Sequence, residues 1–418
     1  MIGTLLGGLS TYVFFKVGQV ALGQDGFKPI VAMWFISFTF IPGLFVPLEQ
    51  ETSRALAHRT GLGQGSLEIV QRLIPLSASI LFVLLVALAI GASRTADEFF
   101  DGNLTVAVAM GFMTITYSML HLARGVLAGT SRFTSLALLI GIDGVMRVLI
   151  CVGLWLVGVT SPGTFAIGIS LSPILGLIVI GARGGFNLSS GPQASWSELT
   201  QNFGWLLVGS IAAAALVNAG PITVDILGDS SPAELVTRFG NAVIFSRVPL
   251  FLFGAVQAAL LPKLARLVGQ GDMKEFANGL KRLVYLVIGI GAIGTVGAFA
   301  IGPWVLELVY EGGIDRRTMS LLAGASAIYM LALALAQAVI ALHGHAAVAF
   351  GWIAGFATFG IVAWLSSDDL YLRVELALLA SSLASLVIFA VVARRQLRSG
   401  LSVNVESMIE AISERPLD

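Results

Sequence analysis

The chain alternates long apolar stretches with short polar ones. Twelve of the apolar stretches have spanning length: roughly 4–22, 29–48, 70–92, 104–123, 133–157, 162–182, 203–227, 240–262, 283–306, 319–342, 346–365 and 374–393. A helix needs ~20 largely apolar residues to cross a bilayer. The runs are continuous rather than alternating, and lipid admits only helices or closed barrels. The pattern predicts an all-α polytopic membrane protein with about 12 transmembrane helices. The first run lacks a basic leader and an A-x-A cleavage site, and Lys16 interrupts it, so it reads as a spanning helix rather than a signal peptide.

The polar intervals set the expected topology. With the N-terminus inside, inner loops and tail hold fourteen Lys and Arg, among them Arg59, Arg132 and Lys281, against six in outer loops. Positive charge favours the cytoplasmic side, so both termini are expected there. The longest inner loops are about 49–69, 183–202 and 263–282. The middle one, rich in Gly, Ser and Asn, reads as a linker (183–202) between six-helix lobes at 1–182 and 203–393. A cytoplasmic tail (394–418) follows, with a short surface helix expected over Val403–Ile412. Ala123-Arg124-Gly125-Val126-Leu127-Ala128 lines up with Ala336-Gln337-Ala338-Val339-Ile340-Ala341, each ending an outside-to-inside span, which supports two parallel-related halves.

Composition agrees with the pattern. The chain is 56% hydrophobic and 11% charged, where soluble domains carry ~25% charged residues. Formal charge is zero, so no basic field exists for nucleic acid. The lone Cys151 permits no intrachain disulfide. No cofactor is expected. Gly289-Ile290-Gly291-Ala292-Ile293-Gly294 fits a dinucleotide fingerprint but lies within an apolar span with no preceding strand, and close helix packing explains it better. His343-Gly344-His345 is too short for a metal site, and none is expected. Asn103-Leu104-Thr105 fits a glycosylation acceptor but sits against the membrane.

Candidate chemistry rests on polar residues at membrane depth, which cost ~2.5–3.5 kcal/mol each when charged. The stretch Asn241–Arg282 carries Arg247, Pro249 and Gln257 in an apolar run that ends at Pro262. Lys16 and Arg247 read as cations of a cavity for an anionic cargo, Arg suiting bidentate phosphate contacts; snorkelling is the plainer reading of Lys16. Asp143 and Arg147, four apart on one helix face, read as a structural ion pair or an ion-responsive one. Asn218 and Asp225 flank Pro221 in the seventh span. Pro42, Pro47 and Pro249 similarly free carbonyls and bend their helices. Glu49, Glu51 and Arg54, where the second span meets the cytoplasm, read as a solvated helix end or as an inner gate pairing with Lys263 or Arg266.

Several loose motifs then suggest a relationship. Ala258-Ala259-Leu260-Leu261-Pro262-Lys263 is followed by Gly271-Asp272, Phe276 and Lys281-Arg282. The ninth span ends Ala300-Ile301-Gly302-Pro303-Trp304-Val305-Leu306, with Tyr310 after it. The fourth ends Arg124-Gly125-Val126-Leu127-Ala128-Gly129. With Asp143 and Arg147, these resemble the multidrug/oligosaccharidyl-lipid/polysaccharide exporter superfamily, within it the polysaccharide flippases. The resemblance implies two six-helix lobes in a V, with spans 1, 2, 7 and 8 lining the cavity. Lys16, Arg247, Asn218 and Gln257 would then be substrate-binding. It further implies export of a polyprenyl-pyrophosphate-linked oligosaccharide across the cell membrane for surface polysaccharide assembly. Membrane lipids and other polysaccharide-assembly membrane proteins would be partners. Two departures bear on the branch: the peptidoglycan-precursor branch usually has fourteen spans, and the drug-exporting branch commonly has an acid in its first span, where this chain has Lys16. The rivals are a cation-coupled multidrug exporter, whose titrating acid would be Asp143 or Asp225, and a membrane glycan polymerase or ligase. The short outer loops argue against an enzyme.

Overall fold

The computed structural model describes residues 2–61, 63–196, 203–228, 233–250, 272–310, 313–342 and 344–398, with Phe253, Leu264 and Leu267. The elements are α1 (Ile2–Gly61), α2 (Leu67–Phe99), α3 (Leu104–Gly129), α4 (Phe133–Leu156), α5 (Pro162–Ser170), α6 (Ser172–Ala182), α7 (Phe203–Leu227), α8 (Ala233–Ser246), α9 (Met273–Tyr310), α10 (Arg316–Ala341), α11 (His345–Leu365) and α12 (Leu370–Arg398). Among the described residues the fold is all-α.

Among the described residues ten stretches are long and apolar enough to cross a membrane, the first being the 52-residue Leu6–Ala57. That stretch holds two spans. α1 is broken at Gly23, whose φ of 73° and ψ of 174° suit glycine. The chain reverses there: Phe14 meets the rings of Phe27 and Trp34 at 6.0 and 5.2 Å, and Phe15 meets the same pair at 5.3 and 5.9 Å. A straight helix would carry residues 14 and 34 ~30 Å apart. α1 is thus a hairpin of two antiparallel limbs around a buried aromatic core.

Other spans differ in detail from the sequence pattern. The second limb continues as helix to Gly61, so residues 49–61 are not loop. They are amphipathic, and Leu48, Ala55 and Leu56 are buried. α9 likewise begins at Met273, ahead of its apolar run. The sixth span breaks at Leu171 into α5 and α6, just before Pro173, which cannot donate to the helix. The eighth span is described as α8, a turn at Arg247 and helix over Val248–Leu250. Gln257, Pro262, Lys263, Arg266 and the tail helix expected over 403–412 lie outside the described residues.

The helices form two packed sets, as expected for two lobes. α1 packs on α3 and α4, α3 on α2 and α5, and α4 on α6; α10 packs on α9 and α12, and α11 on α7 and α12. The sets meet mainly where α1 runs along α7 and α8. Close approach within the first set depends on glycines: a Cβ on Gly125 would lie 2.8 Å from the Glu49 carbonyl oxygen. In the second, a Cβ on Gly291 would lie 2.7 Å from that of Ala327. Residues 63–66, 130–132, 183–196 and Leu342 share one face with the described chain ends, here the terminal face. The Gly23 turn, 100–103, 157–161 and 366–369 lie at the far face. Segment 183–196 is tied to the first lobe: Arg132 donates to the carbonyls of Gly184, Gly185 and Asn187, and Arg59 to those of Pro192 and Gln193. Large apolar side chains such as Ile90, Ile293 and Trp364 are exposed along the flanks, the surface of a multi-pass membrane protein rather than a soluble one.

Candidate functional site

The seam between the lobes is polar along its far half. Lys28, opening the second limb of α1, lies 3.3 Å from Asp225 of α7 and 3.3 Å from Asp101 of the α2–α3 connection. Thr237 donates to the Gln24 carbonyl at 3.0 Å, and Asn241 to Gln19 Oε1 at 2.9 Å. Gln19 in turn donates to the Tyr310 carbonyl at 2.7 Å. Tyr12 donates to the Ile244 carbonyl, and Tyr310 to that of Tyr12, each at 3.1 Å. The last bonds across the seam are Asn218 to the Phe38 carbonyl (2.9 Å) and Ser210 to that of Pro42 (3.4 Å). Nearer the terminal face no hydrogen bond between α1 and α7 is seen among the described residues.

Arg247 sits beside this bonded seam at the level of Asn218, in the turn that follows α8. Its Nη1 donates to Asn218 Oδ1 at 3.2 Å and its Nη2 to the Val217 carbonyl. Its guanidinium carbon lies 5.4 Å from the Phe35 ring centre of α1. No carboxylate pairs with it among the described residues. Val217 can serve as acceptor because residue 221 is proline: the N–H that would claim its carbonyl in an intact helix is missing. Arg247, Ser246, Ser326, Ser382 and Tyr329 contribute the polar lining of a narrow void whose walls include Leu216 and Leu322. That void lies among α7, α8, α10 and α12, within the second lobe.

Lys16 is half-buried on the first limb. Positions 12, 16 and 19 fall on one helix face, and Tyr12 and Gln19 bond the second lobe, so Lys16 lies on the seam face. Asn218 is buried and its amide is fully engaged: Nδ2 donates to Phe38 and Ala214 carbonyls, and Oδ1 accepts from Arg247. In this conformation it holds Arg247 rather than facing open space.

Asp143 and Arg147 form a pair at 2.6 Å inside the first lobe. Ser172 donates to Asp143 Oδ1 at 2.6 Å, which the break between α5 and α6 makes possible. Arg147 also donates to Tyr117 Oη at 2.7 Å and stacks over Trp34. The pair neutralises itself.

Among the described residues Glu49 pairs within its own lobe, and the gate partners expected for it, Lys263 and Arg266, lie outside them. His121 Nδ1 lies 2.7 Å and Arg124 3.1 Å from its two carboxylate oxygens, and both belong to α3 of the same lobe. Glu51 pairs with Arg54, one turn on, at 2.8 Å. The reason is the helical continuation of α1, which lays Glu49 on α3. Sequence reasoning missed His121, although it stands three residues before Arg124 on one helix. It also missed the interlobe roles of Gln19, Lys28 and Asn241; the 12-16-19 spacing was the available signal.

The comparisons with known proteins bear on this architecture. No protein-family model matches the chain. An uncharacterized protein of Mycobacterium bovis is 26% identical over 414 residues, spanning 94% of this chain and 90% of that one. One from Mycobacterium tuberculosis H37Rv is 26% identical over 409 residues, at 93% and 89%. The crystal structure of a point mutant of the Vibrio cholerae MATE transporter VcmN superposes with a TM-score of 0.74, at 15% identity, over 95% of each chain. The fold is that of the MATE transporters. Two further MATE structures are a multidrug resistance transporter of the MOP superfamily facing inward and one facing outward. The inward-facing structure gives a TM-score of 0.74 at 11% identity over 96% of each chain. The outward-facing one gives 0.64 at 12% identity over 96% of this chain and 97% of that one.

Proposed function

We propose that the protein flips a polyprenyl-pyrophosphate-linked oligosaccharide across the cytoplasmic membrane for surface polysaccharide assembly, by alternating access. The observation that carries this reading is Arg247: a guanidinium in an apolar run, beside the lobe seam, held among the described residues by neutral oxygens. Two unit charges 4 Å apart attract by ~4 kcal/mol at an effective dielectric of 20, so an anion of matching geometry is favoured there. Lys16, on the seam face of the first limb, adds a second cation, and the first span has no acid. The sugar would occupy the watery cleft while the polyprenyl chain stays in lipid.

Lobes 1–182 and 203–393 would rock about the seam, with 183–202 as connector, 394–418 as tail and both termini cytoplasmic. The bonds that tie the far half of the seam support a state closed at that face. The protein is no enzyme in this reading. A cation-coupled multidrug exporter is the second reading. It is favoured by the multidrug resistance transporters among the similar structures, and Asp225, paired with Lys28 across the seam, is the acid it would titrate.

The test is leaflet assignment of a labelled lipid-linked glycan in vesicles containing this protein alone. Wild type should move it, and Arg247→Gln, folded and inserted, should slow the movement at least tenfold. Undiminished flipping by Arg247→Gln removes the role of the arginine. Drug efflux that depends on Asp225, with no glycan movement, selects the exporter.

A further inference from the structure

The bonds that hold Arg247 do not stay within one lobe. Its Nη1 donates to Asn218 Oδ1, and the other end of that amide donates to the Phe38 carbonyl of α1 at 2.9 Å. The amide orientation follows from its neighbours: two carbonyls face Nδ2 and a guanidinium faces Oδ1. Phe38 is four residues before Pro42, within continuous helix. An N–H at position 42 would consume the Phe38 carbonyl; proline leaves it available. On the other side of the seam Pro221 does the same for Val217, the second acceptor of Arg247. Two prolines, one in each lobe, therefore supply the acceptors of a single relay: Phe38 carbonyl, Asn218 amide, Arg247 guanidinium, Val217 carbonyl.

We propose that Asn218 is a positioning residue that couples contact between the lobes to the grip of Arg247 on an anionic cargo. This rests on the reading of Arg247 given above. While the lobes touch at Phe38, the amide is pinned and its oxygen holds the guanidinium. When they part at that level, Nδ2 loses the Phe38 carbonyl and keeps only that of Ala214 in its own helix, the amide is free to turn, and Arg247 loses a fixed acceptor. An anion then replaces neutral oxygens around it. The coupling is reciprocal: an anion that takes Arg247 releases Asn218 and loosens the seam. Asn218 thus acts through Arg247 and not on the cargo.

The experiment uses the full-length protein in nanodiscs with a Cys151→Ala background. Spin labels are placed at Val157 and Leu365, exposed at the far ends of the two lobes, and inorganic pyrophosphate is the probe. In wild type, pyrophosphate should lengthen the separation of the labels. Asn218→Leu should bind pyrophosphate within threefold of wild type but lose the distance change. Pro42→Ala restores an N–H that competes for the Phe38 carbonyl without touching Arg247. It should move the midpoint of the distance change at least threefold in pyrophosphate concentration, and it carries the test if Asn218→Leu misfolds. A distance change retained in Asn218→Leu, an unmoved midpoint in Pro42→Ala, or no change in wild type overturns the proposal. A tenfold loss of binding in Asn218→Leu also overturns it, because Asn218 would then be a direct ligand. Binding unaffected by Arg247→Gln defeats the anion-site reading instead, and so identifies which of the two has failed.

Discussion

Arg147 and Arg247 are both guanidinium groups within apolar runs of the sequence, and what surrounds them differs in one respect that matters. Arg147 has Asp143, Tyr117 and the Trp34 ring; Arg247 has two neutral oxygens and the Phe35 ring. Removing one partner of a buried pair strands the other charge and costs ~3–5 kcal/mol, whereas replacing both by apolar groups of similar size is often near neutral. Asp143→Asn should therefore lower the unfolding free energy by about 3–5 kcal/mol, and Asp143→Leu with Arg147→Met should recover most of it. Denaturant unfolding in detergent would measure both, and equal losses in the single and double variants would contradict the account. The Asp143–Arg147 pair was legible because an i, i+4 spacing fixes it on one helix. Ser172 and Tyr117 were not, since they arrive from other helices through tertiary packing. The acceptors of Arg247 lay in between: a proline four residues after a carbonyl announces an unused oxygen, but nothing local says which donor takes it.

Elements were legible wherever apolar length alone decides: eleven of the twelve expected spans are described in the expected order, and the eighth is described only as far as Leu250. What escaped was the structure in polar or mixed stretches. Residues 49–61 carry Glu49, Glu51, Arg54 and Arg59 and so interrupt the apolar signal, yet they continue α1 because one face packs on α3. That packing needs the small residues of α3. A Cβ on Gly129 would lie 2.7 Å from Leu56 Cβ, and one on Gly125 would meet Thr52 at 2.8 Å. Gly125→Val should force the helices apart and destabilise the first lobe by about 1–3 kcal/mol, as overpacking does. Thermal unfolding monitored by circular dichroism would test this; an unchanged midpoint would mean that α1 can shift freely. The Gly23 reversal was hidden for a different reason. A helical limb on each side leaves one glycine to make the turn, where the apolar pattern leaves residues 23–28 as a loop.

Across the whole molecule, the far-face closure centres on Lys28 between Asp101 and Asp225. The sequence places Lys28 in a loop, so its role as a bridge appears only once both lobes are assembled. Neutralising Lys28 or Asp225 should favour opening at the far face. A double-mutant cycle of Lys28→Gln and Asp225→Asn on that opening, read from the separation of spin labels at Val157 and Leu365, should give a coupling of about 0.5–3 kcal/mol. Strict additivity of the two variants would remove the pair from the closure. Arg317 beside Glu375 and Asp369 at the same face joins α10 to α12 within the second lobe, and its loss should leave the opening unaltered.

The carbonyls of Pro192 and Gln193 are fastened to Arg59, Ala194 is buried and Trp196 lies under Arg72 at 5.3 Å, so the leash to the second lobe runs from Trp196 to Phe203, seven residues later. Fully drawn out, seven residues extend at most ~25 Å. This tether sets a ceiling on any parting of the lobes at the terminal face while Arg72 and Arg59 keep their hold. Cutting both holds with Arg59→Ala and Arg72→Ala would raise that ceiling without touching the seam.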